Sequence, residues 1–475
     1  MEQTNMEETR LKNMEKTAKK MEEHCEIAII GAGLTGLTTA FRLHQKGRKV
    51  HVIEQANHIG GVMQTYHVDG FTMESGPNTG VVSYPEVAEL FEDLKEDCRL
   101  ETARESAKRR LIWKGNRFHA LPSGLVSGIR TPLFSFADKI RLLGEPFRSK
   151  GTEPDETVAD LVVRRMGKSF LNYAVDPFLS GIYAGNPHTL ITRYALPKLY
   201  NLEQNYGSFI KGGIAKAKET KSERDRLATK KVFSAQGGQS QLVKALGKGI
   251  GANNITTHAQ NVVVRPTKAG FQVEYADKNG TIHTLNCHKV VTTCGAYALP
   301  TLLPFVESAL MARVNNLHYA PVIQVSVGIN DTKGVELNAF GGLIPSCEHQ
   351  KILGILYPSA CFENRCPEHG ALLSFFMGGV RHPEYLEMSD NELTAIVEDA
   401  LHRMLKFPES VGIAALRIFR HEHAIPQYEK NSGDRFAAID ELQKLYPGLI
   451  IGGNLHGGIG MADRIKQATN IAAQL

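Results

Sequence analysis

Three glycines, Gly31, Gly33 and Gly36, directly follow residues 26–30, a short apolar segment typical of a buried strand. Their spacing gives a tight turn, lets the backbone approach a pyrophosphate closely, and lets the next helix pack against the strand. A helix-like stretch then leads into a second strand-like segment, residues 49–53. The chain therefore opens with a β-α-β unit of the α/β class whose strands are parallel.

An acidic residue, Glu54, ends the second strand of this unit. A carboxylate at that place can accept hydrogen bonds from both hydroxyls of a ribose. With strand, helix and acid all present, the glycine pattern predicts a dinucleotide site and not merely a turn. The unit alone does not distinguish NAD from FAD.

Composition limits the other possibilities. A chain of 475 residues with 42% hydrophobic and 22% charged residues can bury the cores of two or three domains. The net charge of +5 is small for a nucleic-acid binder of this size, so no nucleic-acid partner is predicted. The seven cysteines contain no CxxC pair, and His421 and His423 lack the spacing of a zinc motif, so no disulfide framework or metal site is expected.

Two further motifs select FAD. Gly60 and Gly61 form a second glycine pair after Glu54, and Glu-Ser-Gly-Pro-Asn follows at residues 74–78. This succession resembles the FAD-binding start of the flavin amine oxidase and protoporphyrinogen oxidase group. Near the other end, Gly452-Gly453-Asn454 and a helix starting at about Met461 resemble the closing motif of the same group. The resemblance implies that Gly453, Asn454, Met461 and Val262 contact FAD.

A longer signature narrows the resemblance. Residues 176–187, Asp-Pro-Phe-Leu-Ser-Gly-Ile-Tyr-Ala-Gly-Asn-Pro, resemble a segment of the oxygen-type protoporphyrinogen oxidases, which are similar to this chain over nearly its whole length after residue 25. The resemblance implies that Gly181 lines the substrate site and that Arg110 pairs with a propionate, a role that Arg109 could take instead. It also implies that Leu356 and Phe376 enclose one pyrrole ring.

The activity implied by this resemblance is FAD-dependent oxidation of protoporphyrinogen IX to protoporphyrin IX, a six-electron dehydrogenation in haem biosynthesis. Flavin N5 would accept hydride, and no catalytic side chain is named. Oxidation of coproporphyrinogen III by the same chemistry is the nearest alternative. Another flavin amine oxidase or carotenoid desaturase activity and a non-catalytic porphyrin carrier with an FAD-binding fold are the others.

The predicted architecture has an FAD-binding Rossmann-like domain interleaved with a mixed-sheet substrate domain and a helical membrane-associating domain. The predicted parts are a disordered or helical extension at 1–24, the FAD domain at 25–80, 232–295 and 430–475, the helical region at 81–210, and the substrate domain at 296–429. A Lys/Glu/Arg-rich insert, residues 211–231, is expected to be an exposed loop or solvated helix.

The basic, amphipathic residues 121–150 predict contact with a membrane surface. The expected location is therefore cytoplasmic, peripheral on the inner face of the cell membrane. Handover of the product to ferrochelatase is a further implication of the resemblance, and the oligomeric state stays open.

Overall fold

The computed structural model describes residues 21–475. Its strands are β1 (Met21–Ile30), β2 (Val50–Ile53), β3 (Thr65–Val68), β4 (Phe71–Glu74), β5 (Gly80–Val81), β6 (Leu100–Thr102), β7 (Arg110–Lys114), β8 (Arg117–Ala120), β9 (Val232–Ala235), β10 (Ile255–Thr256), β11 (Gln260–Thr267), β12 (Gly270–Ala276), β13 (Ile282–Thr292), β14 (Tyr319–Ile329), β15 (Gly341–Leu343), β16 (Gly354–Leu356), β17 (Ala371–Gly378), β18 (Ala415–Pro426) and β19 (Leu449–Ile451).

The α-helices are α1 (Leu34–Gln45), α2 (Pro85–Asp93), α3 (Leu125–Arg130), α4 (Phe136–Leu143), α5 (Val158–Arg165), α6 (Lys168–Phe170), α7 (Asp176–Tyr183), α8 (Thr192–Ala195), α9 (Pro197–Tyr206), α10 (Phe209–Lys218), α11 (Glu223–Arg226), α12 (Ser240–Ile250), α13 (Leu299–Leu302), α14 (Ser308–Val314), α15 (Pro358–Cys361), α16 (Asp390–Asp399), α17 (Ser432–Leu445) and α18 (Met461–Gln474). Within residues 21–475, no helix has the length and apolar character needed to cross a bilayer.

The first sheet is built around β1, which pairs in parallel with β2 on one side and β13 on the other. The end of β13 also pairs in parallel with β19, near the end of the chain. The carboxyl ends of these four strands therefore meet at one edge, where α/β sheets bind their ligands. Helices α1, α12 and α18 contribute to the apolar core on one face, and α14 and α17 contribute to the core on the other. The predicted α/β class and Rossmann-like domain are confirmed.

The second sheet has the strand order β18-β14-β17-β16-β15-β7-β8 and is antiparallel except for the β15–β7 pair. Its alternating side chains give it two distinct faces. One face is buried against α16 in a large apolar cluster that contains Val325, Phe375 and Leu393. The other face carries the predicted substrate residues described below.

A buried ion-pair cluster holds the helical region together. The Arg165 side chain is fully buried, and its guanidinium donates to Glu145 Oε1 at 2.6 Å and to Glu203 Oε1 at 2.5 Å. Both acids also accept from backbone N–H groups, Glu145 from Phe209 and Glu203 from Gly151. Because a broken buried pair leaves an uncompensated charge, this cluster fixes α5 and α9 to the segment after α4.

Two expectations about secondary structure change and a third is confirmed. Residues 100–102, 110–114 and 117–120 are strands and not helix, and the last two segments join the second sheet, so the expected helical region 81–210 is wrong over this part. Met21–His24, expected in the extension, continue β1 and pair with His283–Asn286. Residues 1–20 of that extension lie outside the described residues. The insert at 211–231 contains the mostly exposed α11 and most of α10, which confirms the expectation of a solvated helix.

Candidate active site

The glycine loop between β1 and α1 has the geometry that its spacing predicts. Gly31 has a φ of +101°, and its N–H donates to Ile53 O at 2.8 Å. A Cβ at Gly36 would collide with the Gly31 carbonyl oxygen, so this glycine is needed for helix packing. Thr293 Oγ1 lies within 3 Å of the places that Cβ atoms would take at both positions. Thr293, which directly follows β13, was not singled out from the sequence.

Gly33 differs from its two neighbours because a Cβ there would meet no atom within 4 Å. It precedes α1, and no side chain caps the helix. The first N–H groups of α1 are therefore free to bind an anion, and the missing Cβ leaves room for one to approach. A pyrophosphate fits at the N-terminus of α1 beside Gly33.

The Glu54 carboxylate connects the glycine loop to the end of β2. Oε2 accepts the Ala32 N–H at 2.6 Å, and Oε1 accepts the Ala56 N–H at 2.8 Å. A carboxylate offers about four lone-pair sites, so each oxygen keeps capacity for a ribose hydroxyl. Val262 lies half-buried in β11, whose approach is fixed nearby because the Ala259 N–H donates to the Glu54 backbone oxygen at 2.9 Å.

The second glycine pair packs on the first loop. The Gly60 N–H donates to Ala32 O at 2.7 Å, and a Cβ at Gly61 would lie 3.7 Å from Gly33 Cα. Both residues have positive φ, +98° and +58°, which side chains disfavour. Two motifs separated by a strand therefore meet at a single site.

The C-terminal turn, residues 452–460, approaches the same edge from β19. Gly453 has a φ of +88°, and a Cβ on it would lie 3.0 Å from Thr293 O. The Asn454 side-chain oxygen accepts a hydrogen bond from Tyr319 Oη at 3.3 Å. Met461 starts α18 as predicted, but its side chain is buried in the core that includes α1, so only its backbone is available to a ligand. Together these residues fit FAD.

The predicted substrate residues share one face of the second sheet. Register pairs Arg110 with Gly341, Gly341 with Leu356, and Leu356 with Ser374. Phe376 lies two residues beyond Ser374, so its side chain is diagonal to that of Leu356 on the same face. Gly341, which has no side chain, lies between the arginine and the leucine in this row.

Gly181 is placed against this same face by α7. A Cβ there would collide with Leu343 Cδ2, and Leu343 is next along the face from Gly341. The glycine therefore allows close packing of helix on sheet. The signature segment is held in turn by Arg381, which donates to Asp176 Oδ1 at 2.7 Å and to Ser180 Oγ at 3.2 Å.

Arg110 is exposed, and its guanidinium lies 5.2 Å from the centre of the Phe340 ring. It has no carboxylate partner among residues 21–475. A guanidinium left without an acid can form a two-pronged contact with a ligand carboxylate. Arg109, the alternative, precedes β7 and is also exposed.

A buried polar chain connects the second sheet to residues 74–78, and sequence reasoning did not identify it. Ser374 Oγ donates to Asn78 Oδ1 at 3.0 Å, Asn78 Nδ2 donates to Gln324 Oε1 at 3.2 Å, and Gln324 Nε2 donates to the Glu74 backbone oxygen at 2.6 Å. Burial raises the pKa of the Glu74 carboxyl to about 7, although Thr65 and the Gln239 N–H stabilise its ionised form. The only available sequence signal was Asn78, within the quoted Glu-Ser-Gly-Pro-Asn segment.

Comparison with known proteins finds relatives over nearly the whole chain. The chloroplastic protoporphyrinogen oxidase of Nicotiana tabacum is 28% identical over 95% of this chain and 85% of its own length. The coproporphyrinogen III oxidase of Bacillus subtilis is 25% identical over 93% of this chain and 96% of its own.

A crystal structure from Exiguobacterium has the same fold, with a TM-score of 0.78, 20% identity, and coverage of 96% of this chain and 99% of the other. The model of the family described as flavin containing amine oxidoreductase matches residues 34–431, which is most of the chain. The protein is therefore an FAD-dependent oxidoreductase that belongs to the flavin containing amine oxidoreductase family.

Proposed function

We propose that this protein oxidises protoporphyrinogen IX to protoporphyrin IX. The observation that carries the proposal is the placement of Arg110, Leu356 and Phe376 on one face of the second sheet, with a glycine between the cation and the apolar pair. A porphyrinogen has the matching chemistry, because carboxylates project from one edge of an apolar macrocycle. The names of the plant relative and of the bovine protoporphyrinogen oxidase, 26% identical over 94% of this chain, support it.

In this proposal the side chains orient the substrate. Arg110 would hold a propionate through two parallel N–H···O bonds, and Leu356 and Phe376 would fix the plane of one pyrrole ring by apolar contact. FAD, when bound, supplies a two-electron hydride acceptor. Each oxidation removes one hydride and one proton from the substrate, so three oxidations give the six-electron change. Fixed orientation is the main contribution of the chain to rate.

The test is the growth of porphyrin fluorescence when purified, FAD-loaded protein receives protoporphyrinogen IX. Parallel reactions use coproporphyrinogen III, and samples without protein measure autoxidation. A rate above autoxidation with preference for protoporphyrinogen is expected. If neither substrate is oxidised faster than in the control, with oxygen or with a quinone as acceptor, the proposal fails.

Coproporphyrinogen III is the second candidate, and one observation favours it. Arg104 is a second cation near Arg110: its backbone N–H donates to Cys361 O at 2.9 Å, and Cys361 Sγ donates at 3.9 Å to the carbonyl oxygen of Phe340, whose ring contacts Arg110. The Arg104 guanidinium lies 4.0 Å from the Glu363 carboxylate. Coproporphyrinogen carries more propionates than protoporphyrinogen, so an added cation suits it better. The Bacillus relative supports this reading.

We also propose that α3 and α4 contact a membrane surface. Six large apolar side chains of this region are exposed, namely Val126, Ile129, Phe136, Ile140, Leu143 and Phe147. Phe136 and Phe147 are 78% and 88% exposed, and α4 has no buried residue. Arg130, Lys139 and Arg141 lie among them. Apolar side chains flanked by cations suit the headgroup region of an anionic bilayer.

A further inference from the structure

Arg464 is a buried cation beside the cofactor site. Its side chain lies in α18 and is 8% exposed. The guanidinium donates to the carbonyl oxygens of Gly453, His456 and Gly458, the latter two at 2.9 Å and 2.8 Å, and to Gln467 Oε1 at 3.0 Å. Every one of these acceptors is uncharged.

No acid pairs with this guanidinium in the part of the chain that the structure describes. The nearest candidate in sequence, Asp463, accepts the Gly460 N–H at 3.0 Å instead. Arg464 Nε is buried and has no hydrogen-bond partner in the structure. Burial lowers the pKa of the guanidinium, but arginine ordinarily titrates above about pH 12, so the side chain keeps its charge at neutral pH. A buried cation without a carboxylate is unfavourable unless an anion is supplied.

The hydrogen bonds of Arg464 also set the direction of the turn. In a planar trans peptide unit the N–H points away from the C=O. With the carbonyls of Gly453 and Gly458 directed at the guanidinium, the N–H groups of Asn454 and Ile459 point away from it. Neither N–H makes a hydrogen bond to any residue between 21 and 475. Donors in that state are available to a ligand.

The position of the turn determines which ligand could use these groups. The turn leaves β19 at the edge where Thr293 lies against both the first glycine loop and Gly453, and α18 packs on α1, the helix that follows that loop. The N-terminus of α18 adds its own partial positive charge there. The electrostatic environment of this edge therefore favours negative charge.

We propose that Arg464 is a positioning residue for the flavin: it holds the turn with free N–H donors toward the ring system, and its charge stabilises the anionic reduced flavin. Reduction adds two electrons and one proton to FAD and leaves one negative charge on the ring. A nearby fixed cation therefore raises the midpoint potential of the bound flavin. The proposal concerns the cofactor and does not depend on the porphyrinogen assignment.

The experiment compares three variants of the FAD-loaded protein by midpoint potential and by the dissociation constant for sulfite, which adds to flavin N5 and leaves the ring anionic. Arg464→Gln removes the charge and Arg464→Lys keeps it. Gln467→Ala is the structural control, because Gln467 accepts the Gly453 N–H at 2.9 Å and donates to His456 O at 3.1 Å, so its loss loosens the same turn without a change of charge.

We expect Arg464→Gln to weaken sulfite binding at least tenfold and to lower the potential by at least about 30 mV, which corresponds to a tenfold change for a two-electron couple. Arg464→Lys and Gln467→Ala should retain the wild-type potential while binding FAD less tightly. An unchanged potential in Arg464→Gln, or an equal fall in Gln467→Ala, would overturn the proposal. If Arg464→Gln does not retain FAD, the proposal is tested with Arg464→Lys alone. A midpoint potential at least about 30 mV below wild type in that variant, which keeps the charge, would contradict the proposal.

Discussion

Arg110 and Leu356 lie in one register row of the second sheet, two strands apart, with Gly341 between them. At about 4.8 Å per strand, their Cα atoms are about 10 Å apart. Gly341 has a φ of +156°, and a Cβ on it would collide with the Ile355 carbonyl oxygen. The row therefore presents a cation, a glycine and an apolar side chain in sequence, which suits a flat ligand with a carboxylate at its edge.

Loss of the Arg110 guanidinium should weaken binding of a porphyrinogen. A charged hydrogen-bonded contact contributes about 1.5–3 kcal/mol, so Arg110→Ala is expected to raise KM roughly 10- to 100-fold with little change in kcat. Steady-state fluorescence assays measure both constants. Arg109→Ala is the matched control and should behave as wild type, and an equal rise in its KM would transfer the role to Arg109.

Substitution can separate the packing role of Gly36 from the ligand-binding role of Gly33. Gly36→Ala should destabilise the protein without FAD by about 1–3 kcal/mol, because the new methyl group collides with the backbone of Gly31. Gly33→Ala meets no protein atom, so it should leave that stability unchanged and weaken FAD binding about tenfold or more.

Thermal unfolding without FAD and fluorescence titration with FAD give the two quantities. Gly213→Ala serves as a reference, since a Cβ at Gly213 also meets no atom within 4 Å and the residue is distant in sequence from the loop. A large loss of stability in Gly33→Ala would contradict the assignment of its open side to a ligand.

The buried Glu74 carboxyl should make stability depend on pH. Its pKa is about 7 in the folded protein against an ordinary value of 4.5, so between these pH values the folded state keeps a proton that the unfolded state has released. Stability therefore falls as pH rises from about 4.5 to 7 and levels off above that. The contribution is at most about 3 kcal/mol.

Glu74→Gln imitates the protonated form and should remove this part of the pH dependence. The difference in free energy of unfolding between the variant and wild type should increase from pH 5 to pH 7.5 in favour of the variant. Denaturant unfolding at several pH values measures it, with exposed Glu96→Gln as the control. A difference that does not change with pH would show that Glu74 ionises normally.

Removal of two exposed aromatic side chains should abolish membrane contact without loss of the cofactor. The double variant Phe136→Ser, Phe147→Ser is expected to stay in the supernatant when sedimented with vesicles of anionic phospholipid, while wild type pellets with them. Ile282→Ser is a matched control, since Ile282 is 41% exposed in β13 of the first sheet. If wild type fails to pellet at low salt, the membrane proposal is wrong.

The FAD site could be predicted largely from local sequence. Gly31 and Gly36 stand where a larger residue is accommodated only at a cost, Gly33 leaves its side open to a ligand, and Glu54 follows them at the end of the next strand. Such signals are short in range and need no knowledge of tertiary contacts.

The substrate sheet was harder to predict. Residues 110–114 lack the alternating pattern of a half-buried strand, because Ile112 and Trp113 are both buried although they point to opposite faces of the sheet. Their partner strand β15 also lies more than 200 residues further along the chain. One sequence signal was present, the dipeptide Gly115-Asn116. Both residues have positive φ in the structure, as in a two-residue hairpin turn. Arg464 gave no signal, because an arginine in an amphipathic helix is ordinarily solvated.

Both sheets depend on segments made late in synthesis. The first sheet is complete only when β19 pairs with β13. In the second sheet, β7 pairs with β15, which is synthesised more than 200 residues later, and β14 pairs with β18, which follows later still. Long-range pairings of this kind slow folding and leave strand edges open meanwhile. A chain that ends before residue 449 would carry all three N-terminal glycines and yet lack the strand and helix that close their site.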